Sequence, residues 1–163
     1  MTTRQDEFER IAMPHSRSLL RVARRLTSDA AAAEDLVQES LLSAWRAFHQ
    51  FRAGTNARAW LFRILMNAFY AQGRKAPVPL AAPVDVLQAR GSVAESLEVA
   101  EAISALAVEQ RTVLLLGVVE GFTCQEMAGI LSVPIGTVMS RMSRARQALR
   151  QRLAPECAKK GAS

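Results

Sequence analysis

The stretch TCQEMAGILSVPIGTVMSRMSRARQALRQRL, Thr123 to Leu153, constrains this chain more than any other. It opens on Thr-x-x-Glu (Thr123, Glu126), a capping box in which each side chain satisfies a backbone N–H of the first helical turn. Met127, Ile130 and Leu131 follow at helical spacing and predict a short helix with one buried face. Ser132, Val133 and Pro134 end it, since proline has no N–H to continue the ladder. Pro134 instead suits the first turn of a second helix, where that N–H would go unused. The second helix sets Val138, Met142, Ala145 and Leu149 on one stripe. Its other side carries Thr137, Ser140, Arg141 and Arg144, flanked by Arg146, Arg150 and Arg152. This layout predicts a helix-turn-helix whose second helix enters a DNA major groove. There arginine grips guanine bidentately or holds phosphate, and Ser and Thr do either at short reach. A surface helix whose arginines only keep it soluble is the alternative. It leaves the agreement of cap, turn and one-sided charge without a reason.

The remaining chain is long enough for one ordinary domain or two small ones, at 163 residues. Half of it is apolar and the formal charge is +6, which predicts a globular protein with a partner of negative sign. The charge is unevenly placed. From Glu95 to Glu126 six acids accompany one base, Arg111, whereas from Arg141 to Lys160 seven bases accompany one acid, Glu156. Positive potential is thereby focused on the last helix. Cys124 and Cys157 are too few for a disulfide framework, and His15 and His49 stand alone, so neither a metal site nor a cofactor is expected. The opening MTTRQDEFER is unlike a secretory signal and no apolar run reaches the ~18 residues of a membrane span, so a cytoplasmic protein is expected.

Taken in order, Phe8 to Leu26 predicts a first helix, kinked at or starting beyond Pro14, with Arg17, Arg21, Arg24 and Arg25 along its exposed side. Thr27, Ser28 and Asp29 break the chain with N-cap chemistry. A second helix, Ala30 to Phe48, buries Ala33, Leu36, Val37, Leu41, Ala44, Trp45 and Phe48. Asp35, Gln38 and Glu39 lie outside that stripe. The helix dipole accounts for acids in the first turn but not for Glu39, so this polar ridge is a candidate docking surface for a basic protein. FRAGTNAR, Phe51 to Arg58, predicts a loop with an exposed aromatic and arginines, leading into a helix start. A third helix, Ala57 to Lys75, is expected to bury Leu61, Ile64, Leu65 and Ala68 and to present Arg63, Asn67, Tyr70 and Arg74 on a separate face bordered by Trp60. Aromatic rings interleaved with Arg and Asn suit unpaired bases, which stack on rings while guanidinium groups hold phosphate. Core packing is the competing role for these aromatics, and the better one for Phe69.

Residues 76–93, with Pro77, Pro79 and Pro83, read as a flexible linker. Helices Ser92 to Leu106 and Val108 to Glu120, with Gly121 as C-cap, lead into the capping box. The expected fold is therefore all-α. A three-helix bundle (residues 1–75) and a four-helix helix-turn-helix domain (residues 94–163) flank the linker.

At this point three segments are recognisable. AEDLVQESLLSAW (Ala33 to Trp45), ARAWLFRILMN (Ala57 to Asn67) and EGFTCQEMAGILSVPIGTVMSRMSRAR (Glu120 to Arg146) resemble bacterial sigma factors of the extracytoplasmic-function (ECF) group, in that family's order and spacing. The resemblance runs from about Leu19 to Leu153, and FRAGTN and NAFYAQGRK look most like the general-stress subgroup. It implies a promoter-specificity subunit of RNA polymerase rather than an enzyme. It further implies that Asp35, Leu36, Gln38 and Glu39 dock on the clamp helices of the polymerase's largest subunit. Phe51, Arg52, Thr55, Asn56, Arg58, Trp60, Arg63, Asn67 and Tyr70 would serve minus-ten DNA, capturing a flipped base as the duplex opens. Thr137, Ser140, Arg141 and Arg144 would read the minus-thirty-five element, and the linker would run through the polymerase channel. An anti-sigma factor is a further implied partner, which could hold the protein at a membrane.

Three departures from the family pattern are visible. Met139 stands where Lys or Arg is common, Ala107-Val108 replaces a proline-containing turn, and Met66 stands where a base often precedes the Asn. Two other classes of function compete. A free-standing repressor would need a dimerisation helix to span two half-sites, and none is evident. An interaction protein that only binds a regulator is the other, and since the apolar faces of both domains suit an anti-sigma factor, binding one would not exclude sigma function.

Overall fold

The computed structural model describes residues 1–27, 29–73 and 93–160; residues 76–92 of the segment read as a linker, and Arg74, lie outside the described residues. Every regular element among them is helical. α1 (Arg4–Ala12) starts on a Thr3–Asp6 capping box. The expected single first helix is divided at Pro14, where a 3₁₀ turn, Met13–His15, separates α1 from α2 (Ser16–Leu26). The missing proline N–H explains the division. α3 (Ala30–Ala47) is capped by Asp29, whose carboxylate accepts from Ala32 N at 2.7 Å. α4 (Ala57–Gly73) follows a turn in which Gly54 takes φ +85°, a conformation that disfavours any residue with a Cβ.

The second domain comprises α5 (Val93–Ser104), α6 (Val108–Leu114), a π turn (Leu115–Val119), α7 (Cys124–Leu131) and α8 (Ile135–Lys160). The Ala107-Val108 junction lacks a side-chain cap, and Arg111 takes over that work. Buried within the domain, its guanidinium donates to the carbonyls of Ser104 and Leu106 at 2.9 and 3.1 Å, tying α5 to α6. Gly121 holds φ +73° as the expected C-cap, and the Thr123–Glu126 capping box is fully formed. Ser132 closes α7 in the left-handed region, φ 54°. Gly117 sits so close to α8 that an added Cβ would lie 2.7 Å from Met142 Cε.

The two expected domains are packed on each other. A continuous buried cluster runs from Phe8 and Leu36 through Leu61 and Leu65 to Met127, Val138 and Ala145. α4 is the shared wall: it packs on α3 on one side and on α7 on the other. Its sequence carries two apolar faces, since Phe62, Met66 and Phe69 are buried in addition to Leu61 and Leu65. Phe62 meets Phe122 of the second domain edge-on, with centroids 5.2 Å apart. Full burial of one such ring is worth roughly 1.5–3 kcal/mol, so this pair helps to hold the two domains together.

Candidate nucleic-acid interface

The ridge on α3 is laid out as its spacing implies for three of its four residues. Asp35, Gln38 and Glu39 are exposed, whereas Leu36 is fully buried beneath them. Leu36 thus supports the ridge from below and offers no surface of its own, because its side chain lies on the core stripe of the helix. The apolar residue exposed there is Leu42, one turn beyond Gln38 and Glu39 and 55 % accessible, which periodicity alone left unremarked. Glu39 accepts a hydrogen bond from Gln72 of α4 at 2.8 Å, which orients its carboxylate.

The loop before α4 is a built turn. Thr55 donates its hydroxyl to the Arg52 carbonyl at 2.7 Å, and Asn56 caps α4 by accepting from Ala59 N at 3.0 Å. Arg52, Thr55 and Asn56 are exposed, as are Arg63 and Asn67 on the helix beyond. The aromatics differ from expectation. Phe51 is half-buried: it stacks on Phe48 with centroids 6.0 Å apart and leans on Trp60 at 4.9 Å. Phe48 in turn stacks with Trp45 and meets Phe8 edge-on, so a row of rings leads from α1 to the loop. Tyr70, expected at the surface, faces the second domain, and its hydroxyl lies 3.4 Å from that of Thr112. Burial raises the Tyr70 phenol above its ordinary range. Met66 is fully buried, so the residue preceding Asn67 serves the core and not a strand. Tyr70 turns inward because the second domain covers that side of α4.

Arg58 is likewise drawn away from open solvent. Its guanidinium donates to the Glu120 carbonyl and, at 2.8 Å, to the Glu120 carboxylate, and lies over the Phe122 ring at 4.1 Å. On α8, Val138, Met142 and Ala145 are buried as the stripe predicted. Ser140 and Arg144 are exposed, while Thr137 and Arg141 are half-buried. Met139, 57 % exposed, lines a groove of about 440 Å³ with Val118, Met127 and Met142, edged by Arg146 and Arg150. The groove rim includes Val118 of the π turn, 65 % exposed.

A helix-turn-helix with an arginine-bearing second helix, joined to a bundle that exposes Asn and Arg beside aromatic rings, defines a two-domain DNA-binding protein of the transcription machinery. Comparison with known families agrees domain by domain: residues 11–76 match Sigma-70 region 2 and residues 96–149 match Sigma-70, region 4. The chain is 33 % identical to the ECF RNA polymerase sigma factor SigM of Mycobacterium tuberculosis over 146 residues, covering 87 % of this chain and 74 % of that one. It is 36 % identical to the ECF RNA polymerase sigma factor EcfG of Rhodopseudomonas palustris over 145 residues, covering 81 % and 77 %. Its fold is similar to that of the sigma factor RpoE of Bartonella quintana, solved in complex with the anti-sigma factor NepR. The TM-score is 0.76 at 33 % identity, covering 91 % of this chain and 97 % of that one. The chain belongs to the ECF sigma factors of RNA polymerase, which direct the core enzyme to promoters. Among the described residues no helix is long and apolar enough to cross a membrane.

Proposed function

We propose that the two domains divide the promoter between them. In this reading α8 reads the minus-thirty-five duplex through Thr137, Ser140, Arg141 and Arg144. The loop and α4, through Phe51, Arg52, Thr55, Asn56, Arg58, Trp60, Arg63, Asn67 and Tyr70, hold the separated minus-ten strand. Groove contacts fix register, and capture of unstacked bases offsets the cost of opening the duplex. The observation that carries the reading is the simultaneous exposure of Ser140 and Arg144 on α8 and of Arg63 and Asn67 on α4. Asp35, Gln38 and Glu39 dock on the polymerase clamp helices, with Leu42 supplying apolar contact and Leu36 support from beneath. The chain works in the cytoplasm, at the nucleoid.

An anti-sigma factor is the third partner. Support comes from two structural relatives described as complexes, RpoE with NepR and CnrH with the cytosolic domain of CnrY. The methionine-rich groove on the second domain suits an apolar helix with acids at its edge, where Arg146 and Arg150 stand. Reconstitution with core polymerase on a random promoter pool tests the central reading. A shared two-part sequence should emerge from the selected templates; transcription without any selection would defeat it.

A further inference from the structure

The contact between the domains gathers charge in an unbalanced way. The Glu120 side chain, 1 % exposed, accepts from Arg21 Nε at 2.9 Å and from Arg58 Nη2 at 2.8 Å. Arg25, one turn along α2 from Arg21, buries its Nη1 with no hydrogen-bond partner among the described residues. Burial and the nearby Arg21 hold its pKa down, and Glu120 pulls the other way. His15, also partly buried, has its pKa lowered by burial and by the charge of Arg58. Two guanidinium groups thus bind one carboxylate, and a third lies within its electrostatic reach. A buried donor on a cation that lacks a partner is costly, and a purely structural bridge would not need the third arginine. Beside this cluster a second acid of the same domain, Glu126, accepts from Asn56 at 3.3 Å. Two carboxylates of the second domain therefore sit on Arg58 and Asn56, both assigned above to the promoter strand.

We propose that Arg21, Arg25 and Arg58 form an anion site for backbone phosphates of the separated promoter strand, and that Glu120 occupies this site while the two domains are closed on each other. The inference rests on the strand-capture reading and adds two residues, Arg21 and Arg25, and a competitor to it. Nucleic acid is favoured over an acidic protein segment because Arg58 lies on the same helix as Trp60, Arg63 and Asn67, which supply a ring and base-edge donors. A phosphate chain also offers successive charges, which matches arginines spread over two helices better than one carboxylate does. Opening the domains exchanges one intramolecular carboxylate for several phosphates, so the strand itself drives the opening.

Binding of fluorescein-labelled oligothymidylate to the full chain, followed by anisotropy across a salt series, tests this. Glu120→Gln should raise affinity at least fivefold. Adding Arg25→Gln to that variant should cost at least threefold and lower the slope of log affinity on log salt by about 0.7, the loss of one phosphate contact. Arg25→Gln alone, which breaks no hydrogen bond of Nη1 in the closed chain, should leave the melting temperature unchanged or higher while weakening oligonucleotide binding. It therefore carries the test even if Glu120→Gln proves unstable. Unchanged affinity and slope in Arg25→Gln would overturn the proposal, as would equal competition by oligoglutamate at matched charge. Trp60→Ala and Asn67→Ala serve as the separate check. If they weaken binding while the arginine variants are silent, strand capture stands and the anion site falls; if they too are silent, strand capture itself falls.

Discussion

Tyr70 of α4 and Thr112 of α6 face each other across the domain contact, hydroxyl to hydroxyl at 3.4 Å. The pair joins a helix assigned to the promoter strand with one that only supports the helix-turn-helix. It is also spectroscopically addressable, since Tyr70 is the chain's one tyrosine.

Burial raises the Tyr70 phenol pKa. A raised pKa means that the unfolded or opened chain loses its proton first. The stability contributed by the protonated phenol is therefore complete below about pH 10 and is lost as pH rises through the folded value. Ultraviolet titration should find the tyrosine ionising above the ordinary range in the intact chain and at the ordinary value in the urea-unfolded chain. An ordinary value in both would mean that the closed contact is absent in solution.

Phe62 is fully buried, with Phe122 of the other domain against it. Phe62→Ala should cost about 3–5 kcal/mol in urea unfolding, in the range for a large aromatic removed from a core. A loss under about 1 kcal/mol would contradict a core shared by both domains.

Arg144 is exposed on the outer side of α8. Arg144→Ala should weaken holoenzyme binding to its promoter by about 1–3 kcal/mol and relax selectivity at one base pair. A uniform loss over all sequences would reassign it to phosphate, and no loss would remove it from the interface.

Glu39 and Leu42 share the exposed ridge of α3. Glu39→Lys and Leu42→Asp should each impair core polymerase binding by pull-down while changing stability by no more than about 0.5 kcal/mol, as surface substitutions do. Equal loss of duplex binding by the second domain would point to misfolding instead.

Much of this architecture was legible in the chain. The Thr123–Glu126 capping box, Pro14, Pro134 and Gly121 mark helix ends by local chemistry, and local chemistry survives folding. The stripe of Val138, Met142 and Ala145 was readable because α8 has one partner face. α4 misled because it has two. Tyr70 was placed with Arg63 and Asn67 on an exposed face, and only the arrival of the second domain turns it inward, while Arg63 and Asn67 stay exposed. Glu120 was seen only as the last residue of a helix. Its role depends on Arg21 and Arg58, which lie 99 and 62 positions away, beyond the reach of any periodicity. Leu42 escaped notice because an exposed leucine on an amphipathic helix carries no signal until its neighbours are placed.

The row of rings from Phe8 to Trp60 bears on discrimination among nucleobases. With Phe51 already resting on Trp60, a flat guest arriving at that loop trades one stacked neighbour for another instead of covering a naked surface. The stacking gain is only the difference between two similar contacts, and every base possesses a π face. On the strand-capture reading proposed above, telling one letter from the next is thereby left to the hydrogen-bonding edges of Asn56, Asn67 and the backbone around Gly54, and the rings set the depth to which any letter can sink.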